Sequence, residues 1–384
     1  MDCCILSFAA QDQAIITEEG LKMAENKKAS AKRRHRPLRI IITIIAFLLL
    51  ILLGYIAYLF ISYKRIPDNQ QLDVVRGKTS PIQTGTEYKI VSFNAGFGAY
   101  EPDYSFFMDG GTESWAWSKE RLEKNMQAMT DFMGSLDADL MILQEVDLDA
   151  TRSYHVDERE YLTQAMKDGS SVFAVNWDSA FLFYPFTQPH GKSRSGLLTL
   201  SSFDIDSAIR RQLPVEDSYM KIVDLDRCYS KSYLPVGDKQ LVLYNVHLSA
   251  YSSNGNISDE QLELLLADMS QEYEAGNYII GGGDMNKDLL GDSSEYFGIK
   301  GDQYTWAKPI KTECFEGKPL RLVCSSNVPS CRVADAPYNP QQFVILIDGF
   351  IVSDNVEVLS NTTIDTGFKY SDHNPVEMEF RLIP

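Results

Sequence analysis

The chain has 384 residues, of which 44% are hydrophobic and 23% charged, so it has room for one large globular domain or two ordinary ones. Its formal net charge of −17 disfavours a broad basic surface for nucleic acid, although an acidic protein can act on phosphates through a bound cation. The six cysteines form no C-x-x-C pair, which argues against a structural zinc site of the usual spacing.

The N-terminal part combines a basic segment with an apolar run. Residues 27–39 contain seven basic side chains, and residues 40–63 contain no charge. Because a membrane-spanning helix needs about 20 apolar residues, we predict a basic cytoplasmic leader at 1–39 and a transmembrane helix at 40–63. The run is too long for the apolar core of a signal peptide. Met23 is an alternative start to Met1.

The distribution of charge predicts the orientation of the chain in a membrane. The heavier basic flank precedes the apolar run, which favours a cytoplasmic N-terminus and an extracytoplasmic C-terminal part. A cytoplasmic C-terminal part is the alternative. Residues 1–63 hold 8 of the 36 basic and 5 of the 53 acidic residues, which leaves residues 64–384 with a net charge of −20. Residues 64–86 are polar and predict a linker, followed by a catalytic domain at 87–384.

Strand and helix patterns are mixed through that domain. We predict helices at 119–136, 161–169 and 258–274, and strands at 88–93, 140–143, 195–201, 241–246, 278–280, 343–347, 350–352 and 376–382. Single helices do not separate the strands in strict turn, so the pattern favours mixed or antiparallel sheets with helices outside. The aromatic loop at 95–118 is interpreted as a packed surface loop, with a substrate lip or a membrane-facing patch as alternatives.

The stretch Y-I-I-G-G-G-D-M-N, residues 278–286, combines a buried strand with polar residues. We expect Gly281, Gly282 and Gly283 to stop the strand and to allow a tight bend or a close approach to a ligand. Asp284 and Asn286 then project to the same side of an extended backbone. Taken alone, this stretch fits a glycine-rich turn equally well.

The same arrangement recurs along the chain, with polar residues at the ends of apolar strands. The set comprises Asn94, Glu145, His247, Asp284, Asn286 and Asp348, and Asp372 and His373 follow in a loop. Carboxylate and amide oxygens suit Mg²⁺, Mn²⁺ or Ca²⁺, and two histidines can serve as acid and base. This chemistry fits transfer of a phosphoryl group to water. Lys192 and Arg194 near another strand end predict either a phosphate contact or a solvated loop.

Six motifs together resemble the endonuclease/exonuclease/phosphatase superfamily, which contains DNase I-like nucleases, neutral sphingomyelinases and inositol polyphosphate 5-phosphatases. They are S-F-N-A-G at 92–96, L-Q-E-V-D at 143–147, N-V-H-L-S at 245–249, G-G-D-M-N at 282–286, I-D-G-F-I-V-S at 347–353 and S-D-H-N-P-V at 371–376. The resemblance implies an α/β fold, a four-layer α/β sandwich with two mixed sheets flanked by helices.

The resemblance also implies roles for the residues in these motifs. Glu145 would be the main metal ligand, with Asn94 beside it and Asp372 close by. Asp284 would position or deprotonate the attacking water, and Asn286 would hold the phosphoryl group. His373 would contact the phosphate or act as base, oriented by Asp348. His247 would be a candidate general acid, and Arg194 would contact the substrate.

The sequence therefore predicts a membrane-anchored, divalent-metal-dependent phosphodiesterase or phosphatase. Its partners would be a lipid bilayer and a phosphoester substrate, which is a nucleic acid, a phospholipid or an inositol phosphate; no protein partner is indicated. The alternative is a catalytically silent binding module that kept the fold. Of the cysteines outside the anchor, Cys324 and Cys331 would close a short disulfide loop in an extracytoplasmic domain, and four free thiols are the alternative.

Overall fold

A computed structural model describes residues 3–250, 257–299 and 306–384. The chain divides into two compact units, Met1–Ile61 and Ser62–Pro384. The first unit is a helix, α1 (Cys3–Ser62), which continues through Pro37 and includes the predicted basic leader. Within it, Arg36–Ser62 has a mean hydropathy of 3.0 and is long and apolar enough to cross a membrane. The predicted apolar helix is therefore present, although the helix that contains it begins much earlier.

The second unit is built on two mixed sheets, each of seven strands among the described residues. The first sheet has the order β1 (Gln70–Gln71), β7 (Ser207–Gln212), β8 (Cys228–Val236), β9 (Lys239–His247), β10 (Tyr278–Asp284), β14 (Asp348–Ser353), β11 (Leu320–Val323). The second has the order β15 (Val356–Thr363), β16 (Val376–Leu382), β3 (Glu87–Asn94), β4 (Leu140–Ala150), β6 (Ser193–Ser201), β5 (Ser170–Asp178), β2 (Val74–Val75).

In the described part of this unit, the remaining elements are a two-stranded ribbon, four α-helices and several short 3-10 helices. The ribbon pairs β12 (Cys331–Arg332) with β13 (Val344–Ile345). The helices are α2 (Lys119–Ser135), α3 (Glu158–Leu162), α4 (Ile257–Glu274) and α5 (Ser293–Phe297). Two neighbouring pairs of strands, β3 with β4 and β9 with β10, are parallel, and the other pairs are antiparallel. The predicted mixed sheets are confirmed.

Alternating side chains on the strands separate the interior into three apolar layers. Ile90 and Ile142 point between the sheets and pack with Ile280 and Phe350 of the facing sheet. Val91 and Met141 point the other way and pack against the methionines of α2. On the far side, α4 covers the first sheet through Leu265 and its neighbours. The order helix, sheet, sheet, helix confirms the predicted four-layer α/β sandwich.

The three glycines of β10 allow close packing, and the expectation that they stop the strand is wrong. Strand β10 runs through all three to Asp284. A β-carbon on Gly282 would lie 2.5 Å from Phe350 and 2.8 Å from Ile142 of the facing sheet. One on Gly281 would lie 2.1 Å from the terminal carbon of Met269 in α4. Glycine is needed here because neighbouring layers occupy the space of a side chain.

Residues 64–86, predicted to be a linker, are joined to both sheets. Strand β1 pairs with β7, and β2 pairs with β5. At the start of the segment, Arg65 Nε donates to Asp226 at 2.7 Å, and the backbone N–H of Ile66 donates to the same carboxylate. The body of the second unit thus begins well before residue 87, because long-range pairing satisfies the backbone of this polar segment.

Candidate active site

The polar ends of the strands converge because of the register between them. Asp284 is paired with His247 of the parallel strand β9 on one side and with Asp348 of the antiparallel strand β14 on the other. In the second sheet, Asn94 is paired with Gln144, next to Glu145. Asp348 therefore begins a strand, whereas the sequence predicts it at the end of one. The same edge of the two facing sheets carries all of these side chains.

Asp284 stands between the two histidines of the site. Its Oδ2 lies 3.5 Å from Nε2 of His247 and 3.8 Å from Nε2 of His373. The other ring nitrogen of His373, Nδ1, is 2.8 Å from Oδ2 of Asp348. All four side chains are buried. Asp348, His373 and Asp284 thus form a continuous row. The Asp348 carboxylate orients the imidazole of His373, which faces the Asp284 carboxylate.

Asn94 links the carboxylates of the two sheets. Its Nδ2 lies 3.1 Å from both Glu145 Oε1 and Asp284 Oδ2, while its Oδ1 accepts from the backbone N–H of Gly96 at 3.0 Å. Glu145 occupies a bulge in β4 and has a φ of 54°, a left-handed conformation that is uncommon outside glycine. The bulge turns this carboxylate toward the site, as is common for bulges beside functional residues.

The buried charges shift one another's ionisation. Burial, followed by the charge of Asp348, raises the pKa of Asp284 to about 7. Burial lowers the pKa of His373, but the Asp348 carboxylate raises it, and the pKa ends well above its ordinary value. Burial and the nearby Arg227 guanidinium hold the pKa of His247 well below its ordinary value. One histidine is therefore a cation near neutral pH and the other a neutral imidazole.

Asn286 and Asp372 complete the group of predicted residues. Asn286 has a φ of 48°; its backbone N–H donates to Asp284 Oδ1 at 2.8 Å, and its Nδ2 donates to the Leu248 carbonyl at 2.9 Å. Asp372 accepts from the hydroxyl of Ser371 at 3.1 Å, and that same hydroxyl is 2.8 Å from the Asn94 carbonyl. Burial raises the pKa of Asp372. The loop before β16 is thereby fixed to the end of β3.

Two clusters of side chains at this site could hold a metal ion. The ligand atoms of Cys331, Asp372 and His373 lie within 4.8 Å of one another, as do those of Asp284, Asp348 and His373. Asp348 Oδ1 is buried without a hydrogen-bond partner in the described part of the chain. The carboxylates of Glu145, Asp284 and Asp372 lie in one site with the amide of Asn94, and the pKa values of Asp284 and Asp372 are raised. A cation bound there would offset the negative charge of these carboxylates.

A cavity of about 170 Å³ opens at this group. Of the predicted residues, it brings together Glu145, His247, Asp284, Asn286, Asp372 and His373. Asn94 and Asp348 are buried behind these side chains. Arg194 does not join them, because it is exposed on β6 and does not line the cavity.

Several lining residues were not predicted to belong to the site. Arg227 precedes β8 as a single cation among acidic residues, and Trp177 lies on β5. Cys331 lines the cavity with a thiol whose pKa burial raises to about 12. All four cysteines of the second unit are free, so the alternative of free thiols holds and the predicted Cys324–Cys331 disulfide does not form.

A sequence model of the endonuclease/exonuclease/phosphatase family matches residues 91–373, which is more than half of the chain. The chain belongs to this family. The match spans every strand end that contributes to the site, and membership confirms the predicted phosphoester hydrolase. A search of the curated proteins gives no significant match.

Solved structures support the fold assignment. An endonuclease/exonuclease/phosphatase protein from Beutenbergia cavernae DSM 12333 is 16% identical and aligns with a TM-score of 0.54 over 77% of this chain and 72% of that one. ANGEL2, described as a 2′,3′-cyclic phosphatase in complex with adenosine-2′,3′-vanadate, is also 16% identical; its TM-score is 0.51 over 82% of this chain and 99% of that one. At this identity the likeness concerns the fold.

Proposed function

We propose that the chain is a divalent-metal-dependent phosphoester hydrolase in which an activated water attacks phosphorus in line. The observation that carries the proposal is the buried row of Asp348, His373 and Asp284 at the wall of a cavity, with Glu145 and Asp372 on its other side. This arrangement supplies a base, an oriented cation and a metal site around one point. Together they meet the requirements of phosphoryl transfer to water.

Each side chain has a role that follows from its ionisation. Asp284, with a pKa of about 7, is suited to take a proton from water near neutral pH. His373, held by Asp348, is suited to bind a phosphoryl oxygen as a cation. His247 is neutral, so it would donate a hydrogen bond to the phosphoryl or leaving oxygen and would be a weak proton donor.

Metal binding would involve Glu145, Asp372 and Asn94. Asn94 Oδ1 already accepts one hydrogen bond, but a carbonyl oxygen has a second lone pair. Mg²⁺, or Mn²⁺ or Ca²⁺, would offset the charge of the phosphoryl group there. Asn94 Nδ2, which bridges Glu145 and Asp284, would hold the ligand carboxylate and the base at a fixed separation.

The predicted anchor favours a substrate at a membrane surface over a soluble nucleic acid. Tyr63, Lys64 and Ile66, which directly follow the apolar helix in sequence, line a small cavity together with Trp177 and Asp224. Trp177 and Asp224 also line the active-site cavity. The first residues of the second unit, which follow the apolar segment in sequence, therefore line a cavity that shares two wall residues with the active-site cavity.

An exposed aromatic loop supports the same choice. Phe183, Tyr184 and Phe186 are exposed, the last to 84%. The ring of Tyr184 packs against that of Phe107 at an angle of 59°, with 5.8 Å between the ring centroids, and the neighbour of Phe107, Met108, is exposed and lines the active-site cavity. Exposed aromatic rings of this kind are typical of surfaces that contact the interfacial region of a bilayer. We therefore propose hydrolysis of a phospholipid head-group phosphoester, with nuclease activity as the second candidate.

The experiment is hydrolysis by the full-length chain in lipid nanodiscs. The substrates are labelled sphingomyelin, phosphatidyl lipids, inositol phosphates, DNA and RNA, each with Mg²⁺, Mn²⁺, Ca²⁺ or EDTA. Metal-dependent release of a lipid head group, lost in Glu145→Gln, would support the proposal. Cleavage of DNA or RNA alone would select the second candidate. Metal binding without turnover of any substrate would favour a silent binding module.

Membrane anchoring and orientation are tested separately. We propose a single-pass protein with a cytoplasmic N-terminus and an extracytoplasmic catalytic unit. Alkaline carbonate should leave the chain in the membrane fraction, because only a spanning helix resists it. Protease added to intact cells should digest the catalytic unit and leave a tag at the N-terminus protected. Protection of the catalytic unit instead would establish the opposite orientation.

A further inference from the structure

One wall of the active-site cavity contains a cation without a counterion. Arg227 is 7% exposed and lines the cavity, and its Nε and Nη1 have no hydrogen-bond partner. Within residues 3–250, 257–299 and 306–384, its guanidinium forms no ion pair. The neighbouring Asp226 is occupied by Arg65, and Asp224 accepts from the backbone of Leu225.

The other buried arginines of this unit have partners. Arg152 forms an ion pair with Asp147 at 2.9 Å, and Arg210 donates to the carbonyls of Val175 and Asp226. Arg332 donates to the carbonyls of Tyr100 and Glu101. Arginines that stabilise this fold are thus neutralised or hydrogen-bonded, as buried charges generally are. Among the described residues, Arg227 departs from that pattern, because its Nε and Nη1 have no partner and no ion pair offsets its charge, which makes its burial costly.

Two further unpaired donors lie beside it. Asn176 and Trp177 of β5 line the same cavity as Arg227, and the two segments meet where Cys228 Sγ lies 3.8 Å from the Val175 carbonyl. Asn176 Nδ2 and Trp177 Nε1 are buried without hydrogen-bond partners in the described part of the chain, and both residues line the cavity. Every unpaired atom in this group is a donor, so the group complements a ligand rich in acceptor oxygens.

The packing around these residues keeps the wall rigid. Trp177 lies between the Arg152 guanidinium, 5.2 Å from its ring centroid, and the ring of His190, 5.3 Å away. Burial, and then the charge of Arg152, lower the pKa of His190 to about 3, so His190 stays neutral and does not compete as a cation. Arg227 is also close enough to His247 to influence its ionisation, which puts the wall beside the histidine side of the catalytic group.

We propose that Arg227, Asn176 and Trp177 form an anion subsite that binds a phosphate group of the substrate. This inference rests on the proposed function, which identifies the substrate as a phosphoester. It adds the residues that would bind the phosphate on the side of the cavity opposite Glu145 and Asp372. A planar guanidinium can donate two parallel hydrogen bonds to phosphate oxygens, which a single ammonium group cannot. The phosphate is either the scissile group or a second phosphate on the same molecule.

The test measures inorganic phosphate binding to the full-length chain in detergent micelles with EDTA, by calorimetry and by thermal denaturation. Arg227→Met should weaken the phosphate dissociation constant roughly 10- to 100-fold, the equivalent of losing hydrogen bonds to a charged group. Without phosphate, its melting temperature should equal or exceed that of the wild type, because an uncompensated buried charge is gone. Arg227→Lys should bind phosphate with intermediate affinity.

Arg194→Met is the matched control, since Arg194 is exposed and lies outside the cavity; its phosphate affinity should stay within about twofold of the wild type. Unchanged phosphate affinity in Arg227→Met, or a lower melting temperature without phosphate, would overturn the subsite. Phosphate binding is measured without turnover. A chain that binds phosphate through Arg227 but hydrolyses no substrate would therefore refute the proposed function and leave the anion subsite supported.

Steady-state kinetics in the presence of metal distinguish whether Arg227 binds the scissile phosphate or a second phosphate of the same substrate. If Arg227 binds the scissile group, Arg227→Met should lower kcat/KM on every substrate by a similar factor. If it binds a second phosphate, the loss should be confined to substrates that carry two. Either pattern supports the subsite, and equal kcat/KM for variant and wild type on all substrates would overturn it.

Discussion

Replacing Asp348 with asparagine separates the electrostatic role of this residue from its shape. The carboxylate is 1% exposed and accepts a hydrogen bond from His373 Nδ1 at 2.8 Å, and its backbone N–H donates to the Ser330 hydroxyl at 3.1 Å. Asparagine keeps the volume, the backbone contact and one acceptor oxygen. It removes the negative charge that opposes the effect of burial on His373.

The expected loss follows from that change in charge. Without Asp348, burial lowers the pKa of His373, so the imidazole is neutral near pH 7 and its tautomer is no longer fixed. Because His373 is proposed to bind a phosphoryl oxygen as a cation, losing its charge should cost about 10²- to 10³-fold in rate, or roughly 2.7–4 kcal/mol, as the loss of one donor to a developing oxyanion does. The stability cost should be smaller, about 1–3 kcal/mol, because His373 can discharge and leaves one imperfect hydrogen bond.

Stability against pH gives a second readout in EDTA. The pKa of His373 in the folded wild type is above its unfolded value, so the ion pair stabilises the protein fully at pH below the unfolded pKa. That stabilisation is lost as the pH rises through the folded pKa. In Asp348→Asn this alkaline loss should be absent from the plot of melting temperature against pH.

The control is another buried acidic residue, Asp268, which pairs with Lys231 and Arg211 at 2.8 Å and does not line the cavity. Asp268→Asn should lower the melting temperature while kcat, measured well below that temperature, stays near the wild-type value. If Asp348→Asn hydrolyses substrate within about threefold of the wild type, the proposed orientation of His373 has no catalytic importance.

Three further outcomes follow from the same geometry. Glu145→Gln should keep the fold and lose most metal-dependent turnover, which calorimetric titration with Mg²⁺ would trace to weaker binding; undiminished binding would remove Glu145 from the metal site. Because the pKa of Asp284 rises from 3.8 to about 7, the metal-free protein should lose stability as pH rises across that interval, and Asp284→Asn should abolish this loss. Gly282→Ala should cost about 1–3 kcal/mol in chemical denaturation, as overpacking between the sheets does; a neutral result would show that the sheets can separate.

The proposed catalytic residues at the strand ends could be predicted from the sequence, because each follows an apolar run. In the folded sheet, the register between neighbouring strands then brings these positions together. His247, Asp284 and Asp348 are separated by tens of residues, yet each marks the point where an apolar run meets a polar residue. The family motifs supplied the order in which these ends occur. Their distances and protonation states required the folded chain, since the pKa of Asp284 depends on Asp348 and His373, residues that no local pattern connects.

Other parts of the fold were hidden because their partners are remote. Strands β7 and β8 carry buried polar residues such as Arg210 and Lys231, whose charges are satisfied by Asp226 and by Asp268, so neither strand shows an apolar run. The segment 64–86 is polar for the same reason and was predicted to be a linker. Arg227 gave no signal in the sequence, because what distinguishes it is that its Nε and Nη1 have no partner among the residues that the structure describes.

The electrostatics of the catalytic unit connect these observations to the choice of substrate. Residues 64–384 carry a net charge of −20, so the flanking phosphates of a long nucleic acid would meet an acidic surface. Attraction for phosphate comes from buried cations at the cavity, which include Arg227 and His373, and from the proposed metal site, and a single phosphate entering the cavity benefits from all of them. Buried charges are screened little by salt.

Salt dependence therefore distinguishes the two classes of substrate. A protein that contacts 6–10 phosphates of DNA loses roughly 10³- to 10⁵-fold in affinity between about 50 and 200 mM salt. For a head-group phosphoester bound in this cavity, KM should change by less than about threefold over the same range, because few counterions are released and the cations are buried. A steep rise of KM with salt would mean that an extended polyanion is bound outside the cavity, and it would favour the nuclease candidate over the lipid phosphodiesterase.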